Sequence, residues 1–377
     1  MEILTEVAGV EIREVLEELC VLPGVSGFEG RVGEAVFRRF AHYTPEVRID
    51  KLGSVIALKK GESGYGAAGK GAIGKGKTGN DVASSKIMLV AHMDEVGLIV
   101  SKVDEKGFLR FITKGSIDPR NLVAQEVTVY GKRPLRGIIG AKPPHIQDPA
   151  DYEKAIPMDQ LFIDIGMDAE EAGKWVDIGD MAVVNRDVVA LQNDLLAGRA
   201  FDNRAGVAVV LACFEELQQM KHAVDVYGVA TVQEEVGYRG AITSTFGVAP
   251  DLAVVIDVTY GDSPGVPEQK AMPLGKGPAI GVGVAIHPAV YKRLVTTAKE
   301  YGIAHQIEPY PSPRGTDAFA VQVSQAGVPT GIVSIPLRNM HTPVETLTVA
   351  DIKASARLLA HFITGLDAEF VEGLRCF

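Results

Sequence analysis

The sequence predicts an α/β/α sandwich interrupted by a small β-rich insertion. Three observations point there. Ile87–Ala91 is a short continuous apolar run, suited to a central strand buried on both faces. Downstream of residue 189, segments with helical spacing alternate with short strands, the pattern of a mostly parallel sheet covered by helices. Between residues 98 and 189 the pattern changes to short alternating strands separated by turns. A chain of 377 residues exceeds what one hydrophobic core usually serves, so two such units are expected.

The elements follow in order. Glu11–Cys20 spaces Ile12, Val15, Leu16 and Leu19 as one helical face, and the turn Pro23–Gly27 ends it. Glu29–Phe40 reads as a second helix and Ser54–Leu58 as a strand. Gly61–Ser85 is dense in Gly, Ala, Ser and Lys and reads as a surface loop. Within it, residues 71–78 match the P-loop pattern and residues 64–69 a dinucleotide pattern. Both patterns need a strand immediately before and a helix immediately after, which neither has, so composition accounts for them.

After the run at Ile87–Ala91, strands are predicted at Gly107–Ile112, Glu126–Val129, Leu135–Ile139 and Leu161–Ile165. Next come helix Arg204–Met220, strand Val226–Val232, a helix near Gly240–Thr245 and strand Leu252–Ile256. Helix Pro288–Tyr301, strand Gln306–Glu308, a helix near Thr316–Ser324, strand Thr330–Ile335 and a final helix Val349–Leu366 complete the chain. The expected division is a discontinuous α/β domain, 1–97 with 190–377, and an inserted β-rich domain, 98–189.

Apolar residues at 46% and charged residues at 23% are ordinary for a globular protein. A net charge of -10 argues against a nucleic-acid partner, which would need clustered Lys and Arg. The acidic start Met1–Glu6 carries no signal-peptide pattern, and the longest apolar stretches, such as Val207–Phe214, are too short to span a membrane. Cys20, Cys213 and Cys376 are odd in number and widely spaced, which suggests a reducing compartment and a cytoplasmic location.

Five polar clusters stand out by position. His92 follows the run Ile87–Ala91, Glu234-Glu235 follows the strand ending at Val232, Asp257 ends the strand Leu252–Ile256, and His341 lies shortly after Ile335. Asp202 opens the helix that begins at Arg204. Ligands of open α/β sheets gather at the carboxyl ends of strands, so all five can meet at one edge. Taken singly, each has a plainer reading: Asp202 as a helix cap, Glu234-Glu235 as a solvated turn, His341 as a turn residue, Asp257 as the polar end of a strand, and His92 as a core histidine. Taken together, unpaired acids and imidazoles beside buried strands would be expensive unless they hold a metal. Two divalent ions about 3.5–4 Å apart need a bridging carboxylate and a ligand pair each. Asp202 can bridge, with His92 and Asp257 on one ion and Glu235 and His341 on the other. Asp94 is placed to accept the free ring N–H of His92. Adjacent residues of an extended segment point apart, which leaves Glu234 as general base.

These residues stand in a recognisable order. Residues 23–29 (Pro-Gly-Val-Ser-Gly-Phe-Glu), 91–97 (Ala-His-Met-Asp-Glu-Val-Gly) and 142–145 (Lys-Pro-Pro-His) come first. Residues 201–206 (Phe-Asp-Asn-Arg-Ala-Gly), 233–237 (Gln-Glu-Glu-Val-Gly), 315–318 (Gly-Thr-Asp-Ala) and 341–345 (His-Thr-Pro-Val-Glu) follow. In this the sequence resembles the M42 metallopeptidases, the tetrahedral aminopeptidases related to other co-catalytic di-zinc exopeptidases. The resemblance implies that His92, Asp202, Glu235, Asp257 and His341 are the metal ligands, Glu234 the catalytic base and Asp94 the support of the first ligand. It also implies two divalent ions, zinc before cobalt or manganese, peptide substrates, a barrel-like β insertion that mediates dimerisation, and dodecameric tetrahedral particles.

Three departures leave substrate preference open. Gly61–Ser85 is longer than usual, Lys114–Asp118 lacks a Gly-Gly pair, and Arg314 stands where a small residue is more common. Some family members carry an endoglucanase label. A glucanase would need two carboxyls flanking the scissile bond, and would leave His92 and His341 without a task. A homologue that has lost catalysis is the other rival, against which stands the complete set of ligands.

Overall fold

The computed structural model describes residues 11–62, 85–148, 153–310 and 315–374. The two nucleotide-like patterns, Met1–Glu6, Arg314 and Cys376 lie outside them.

Two amphipathic helices come first, α1 (Ile12–Val21) and α2 (Gly30–Ala41). The antiparallel pair β1 (Val47–Ile49) and β2 (Val55–Lys59) leads to β3 (Lys86–His92). The chain then builds a separate closed barrel from β4 (Gly97–Val103), β5 (Leu109–Lys114), β6 (Glu126–Tyr130), β7 (Pro134–Gly140), β8 (Phe162–Asp164) and, after helix α3 (Ala169–Trp175), β9 (Met181–Val184). Its strands close in the order β4-β5-β8-β7-β6-β9 around Leu98, Leu109, Val127, Val129 and Ile163. Closure removes the free strand edges that a small antiparallel sheet would otherwise expose.

The short strands β10 (Val189–Ala190) and β11 (Leu195–Gly198) return the chain to helix α4 (Phe201–Glu216). Then follow β12 (Asp225–Thr231), α5 (Arg239–Val248), β13 (Leu252–Tyr260), β14 (Ala279–Gly283), α6 (Pro288–Glu300) and β15 (Gln306–Tyr310). Helix α7 (Ala318–Gln322), β16 (Thr330–Leu337), β17 (Glu345–Thr348), α8 (Val349–Thr364) and α9 (Ala368–Glu372) finish the chain. Eight strands form the main sheet, β1-β2-β12-β3-β13-β16-β14-β15, with β12, β3, β13 and β16 running parallel at its centre. β11 pairs with β17 beside it.

The layers follow from the two-residue period of the strands. Ile87, Leu89 and Ala91 of β3 pack with α1, α2, α4, α6 and α8, whereas Met88 and Val90 pack with α5 and α7 on the opposite face. This is the expected α/β/α sandwich. Phe40 and Phe214 meet edge to face at 5.2 Å over Gly228 of β12. A Cβ on Gly228 would lie 2.7 Å from the Phe214 ring, so only glycine lets these helices lie so close to the sheet.

Three expectations change. β13 does not stop at Ile256, because Asp257–Tyr260 continue the ladder against Ser334–Leu337 of β16. β14 has no counterpart in the sequence reading, since Pro278, Gly281 and Gly283 weaken its pattern. Helix α4 ends at Glu216 rather than Met220.

Candidate metal centre

The carboxyl edge of the sheet carries the polar clusters. His92 is the last residue of β3, and Glu234 and Glu235 sit in the turn after β12. Asp257 projects from within β13, and His341 lies in the loop after β16 with a left-handed backbone (φ 59°). Asp202 sits in the first turn of α4, where it and Asn203 depart from helical geometry. The capping role expected of Asp202 falls to its neighbour. The Asn203 side-chain oxygen accepts from the Gly206 N–H at 3.0 Å, and its amide donates to the Ile256 carbonyl at 2.8 Å. Asp202 is thereby left to face the two histidines.

One oxygen of Asp202 lies 3.2 Å from His92 Nε2 and the other 3.2 Å from His341 Nε2. His92 Nε2 is also 3.9 Å from Asp257 Oδ1 and 3.9 Å from Glu234 Oε2. His341 Nε2 is 3.2 Å from Glu235 Oε1. The side chains therefore gather as two groups sharing Asp202: His92, Asp202 and Asp257, and Asp202, Glu235 and His341, each with its ligand atoms within 4.8 Å of one another.

The second ring nitrogens fix the tautomers. His92 Nδ1 donates to the Asp94 carbonyl at 3.2 Å, and His341 Nδ1 donates to the Ser116 carbonyl at 3.0 Å. A carbonyl can only accept, so Nδ1 carries a proton in both rings, and Nε2, the nitrogen turned toward Asp202, is the one a metal can claim in place of its proton. Asp94 meets His92 mainly through its backbone, since its carboxylate lies farther off, at 3.5 Å. That carboxylate instead accepts from Ser26 Oγ at 2.7 Å and from the N–H groups of Glu234 and Glu235 at 3.0 and 3.2 Å. Glu234 and Glu235 do point to different groups, though not because the segment is extended: it is a tight turn with Gln233 at φ 58°.

Several partners lie far from these residues in sequence. Glu345 accepts from the N–H of Asp202 at 3.1 Å and of His341 at 3.0 Å, tying the two loops together. Thr231 Oγ1 donates to Asp317 at 2.5 Å, and Ser116 comes from the loop between barrel strands β5 and β6. The 341–345 and 315–318 motifs contain Glu345 and Asp317, but only the fold shows what they touch. Lys142–His145 is exposed, with Pro144–Ile146 forming a single 3-10 turn.

The family profile of the M42 glutamyl aminopeptidases matches residues 71–358. The lysyl aminopeptidase of Pyrococcus furiosus is 32% identical over 350 residues, which is 92% of this chain and 94% of the relative. The chain belongs to the M42 family. An aminopeptidase from the archaeon Desulfurococcus kamchatkensis superposes on this M42 chain with a TM-score of 0.86 at 36% identity, over 97% of each chain. The Pyrococcus horikoshii TET1 peptidase, which can assemble into a tetrahedron or a large octahedral shell, gives a TM-score of 0.80 at 30% identity, over 94% of this chain and 100% of that one.

Membership of this metallopeptidase family implies divalent ions, and the residues of the M42 site fit them. Burial and the nearby carboxylates of Asp257, Asp317 and Glu235 push Glu234 up to about 10, despite the opposing pull of His92. Burial likewise holds Asp257 well above the carboxylate range, against the pull of His92. Asp317 rises to about 6, again through burial. His341 is pushed up to about 11: burial opposes its charge, but Asp202 and Glu235 outweigh it. His92 rises too, with burial overcome by Glu234, Asp202 and Asp94. Six buried or half-buried carboxyl groups thus surround two imidazoles whose Nε2 atoms face inward, where a cation can take the place of the proton. A mixed imidazole–carboxylate set with this excess of negative charge suits divalent cations such as zinc, cobalt or manganese.

A cavity of about 950 Å³ opens beside the cluster, with Tyr238, Tyr260 and Tyr310 in its wall. The low aromatic content of the sequence gave no hint of three tyrosines there. Trp175 lies elsewhere, stacked under Arg133 at 4.2 Å beside the barrel. No helix of the described residues is long and apolar enough to cross a membrane.

Proposed function

We propose that this M42 aminopeptidase hydrolyses N-terminal residues from peptides at a two-metal centre. The observation that carries this reading is Asp202, which turns one oxygen to the Nε2 of each of two imidazoles whose Nδ1–H is held by a backbone carbonyl. In it, His92 and Asp257 would hold one ion and Glu235 and His341 the other, with Asp202 as the ligand common to both. Two divalent ions supply Lewis-acid polarisation of the scissile carbonyl and lower the pKa of water.

The chain's own residues do the rest. Glu234 takes the proton of the attacking water and returns it to the departing amine. Its pKa of about 10 belongs to the ion-free cluster, and neighbouring cations bring it down toward the working range. Asp94 holds the Glu234-Glu235 turn through both backbone N–H groups and so aims the base. Glu345 keeps Asp202 and His341 in register. In the relatives the named side chain is glutamyl in one case and lysyl in another, so membership alone does not set the preferred residue.

The barrel, residues 98–189, serves in this reading as an inserted dimerisation domain of the discontinuous catalytic domain 1–97 and 190–377. Its outward Ile112 and Ile138, 50% and 47% exposed, are apolar surface for a second copy to cover. Dimers of this kind would build the tetrahedral dodecamer, and Cys20 and Cys213 as buried free thiols suit the cytoplasm.

The test is direct. Chelation should abolish release of N-terminal residues, and zinc or cobalt should restore it. Glu234→Gln should bind both ions and lose activity by roughly 10²–10⁴-fold. Full activity in that variant would remove Glu234 as base, and cleavage of a β-glucan by metal-free protein would sink the peptidase reading.

A further inference from the structure

The cavity beside the metal centre carries a carboxylate that the hydrolytic chemistry does not use. Glu308 lies on β15, opposite Gly281 of β14, and lines the cavity together with Asp257, Thr259 and Tyr310. Thr259 Oγ1 donates to Glu308 Oε1. The other oxygen, Oε2, is buried without a well-formed hydrogen bond among the described residues, with the Ser334 hydroxyl near enough to influence it. No described cation pairs with this carboxylate in the protein itself.

We propose that Glu308 is a specificity-determining residue that selects substrates whose N-terminal residue carries a cationic side chain, lysine or arginine. The inference rests on the aminopeptidase reading of the same site. Three arguments support it.

The first is reach. Thr259 stands two residues beyond Asp257 on the same face of β13, a step of about 7 Å. The Glu308 carboxylate, bound to Thr259, therefore lies about one lysine side chain (roughly 6 Å from Cα to Nζ) beyond the metal cluster. A substrate with its scissile carbonyl at the cluster would set its side-chain ammonium near Glu308.

The second is charge. Asp202, Glu234, Glu235 and Asp257 are taken up by the metal centre, which leaves Glu308 as the one lining carboxylate among the described residues without a role there. Burial raises its pKa, opposed by the Thr259 and Ser334 hydroxyls, and an ammonium or guanidinium in contact would offset that cost. The third is the wall. Met272, Val282 and Tyr310 give the methylene stem apolar contact, while the head group needs the charge. Lys270 also lines the cavity, but its side chain is exposed, so it acts as the weaker of the two charges.

The test uses the full chain loaded with zinc or cobalt and a series of aminoacyl anilides of Lys, Arg, Leu and Glu. Lys and Arg should exceed Leu in kcat/KM by roughly tenfold or more, with Glu lowest. Glu308→Gln should reduce kcat/KM for Lys by roughly tenfold, chiefly through KM, and leave Leu within about twofold. In calorimetry, free lysine should bind the wild type more tightly than leucine does, and E308Q should erase the difference. A preference for Leu, equal losses for Lys and Leu in E308Q, or a glutamyl preference, which would hand selection to Lys270, overturns the proposal. Failure to release any residue sinks the peptidase reading instead, and the calorimetric comparison then still decides the role of Glu308.

Discussion

The two halves of the candidate metal cluster are built differently. His92 and Asp257 stand on β3 and β13, hydrogen-bonded neighbours in the centre of the sheet, and both are almost completely buried. Glu235 and His341 stand on loops, are only partly buried, and are held by a few hydrogen bonds, Glu235 by Asp94 and His341 by Glu345 and the Ser116 carbonyl. One group inherits its geometry from the strand ladder. The other depends on Asp94, Glu345 and the Ser116 carbonyl, and through Ser116 on the β5–β6 loop of the barrel. A strand-held site should bind its ion with little rearrangement, whereas a loop-held site pays for order when the ion arrives.

The shared residue gives the largest expected effect. Asp202→Asn removes charge from both groups at once, so both ions should be lost or weakly held and kcat/KM should fall by roughly a thousandfold or more. Metal analysis after gel filtration, with the activity assay, checks it. Retention of both ions at normal affinity would mean that Asp202 does not bridge.

A paired comparison separates the halves. His341→Ala should lose one of two metal equivalents while the fold keeps its stability, because the side chain is partly exposed and lies in a loop. His92→Ala should lose metal and also lower the melting temperature, since it leaves Asp202, Asp257 and Glu234 facing one another in a buried space. Equal melting temperatures for the two variants would contradict the distinction.

The same contrast governs what was legible in the sequence. The strand-held half was readable, because a buried apolar run followed by a polar residue marks the carboxyl end of a strand. His92 was placed there correctly. Asp257 was located but put at the end of its strand, since Val258, Thr259 and Tyr260 pair with a neighbour that local pattern does not reveal. Asp202 looked like a cap because Asp and Asn share that propensity. Only the fold assigns the cap to Asn203 and the free carboxylate to Asp202. The loop-held half depends on contacts between residues 225 positions apart, as with His341 and Ser116, or 143 apart, as with Asp202 and Glu345. No periodicity encodes those. The motifs showed that Glu345 and Ser26 mattered to a resemblance, not what they hold.

A smaller effect is expected from the tie between the loops. Glu345→Ala leaves the N–H groups of Asp202 and His341 without their acceptor, and should weaken metal binding by roughly 10–100-fold, with the ion held by Glu235 and His341 released first. Titration with a competing chelator reads the two affinities separately. A uniform loss from both sites would show that Glu345 acts through Asp202 alone.

The last expected effect, on stability rather than on metal or rate, lies behind the loop-held half. Glu29 accepts from the Gly27 N–H at 2.7 Å and from the Gln233 N–H at 3.1 Å, so it supports the turn that carries Glu234 and Glu235. Burial pushes it up to about 7 from an ordinary 4.5, with a further push from Asp94 and an opposing pull from the backbone donors. Below pH 4.5 the folded and unfolded chains both hold this proton, and above pH 7 neither does. Between those values only the folded chain holds it, so its contribution to stability declines as pH rises through that window. The decline should amount to about 3 kcal/mol, at 1.36 kcal/mol per pKa unit. Glu234, Asp257 and Glu345 are also raised and carry the same sign, which makes the chelated protein more stable in mild acid than at neutrality. Urea melts of chelated wild type and Glu29→Gln between pH 4.5 and 7.5 isolate the one group: the variant should show the shallower slope. An unchanged slope would place the turn's support in Asp94 alone, and the loop-held half would then hang on one carboxylate rather than two.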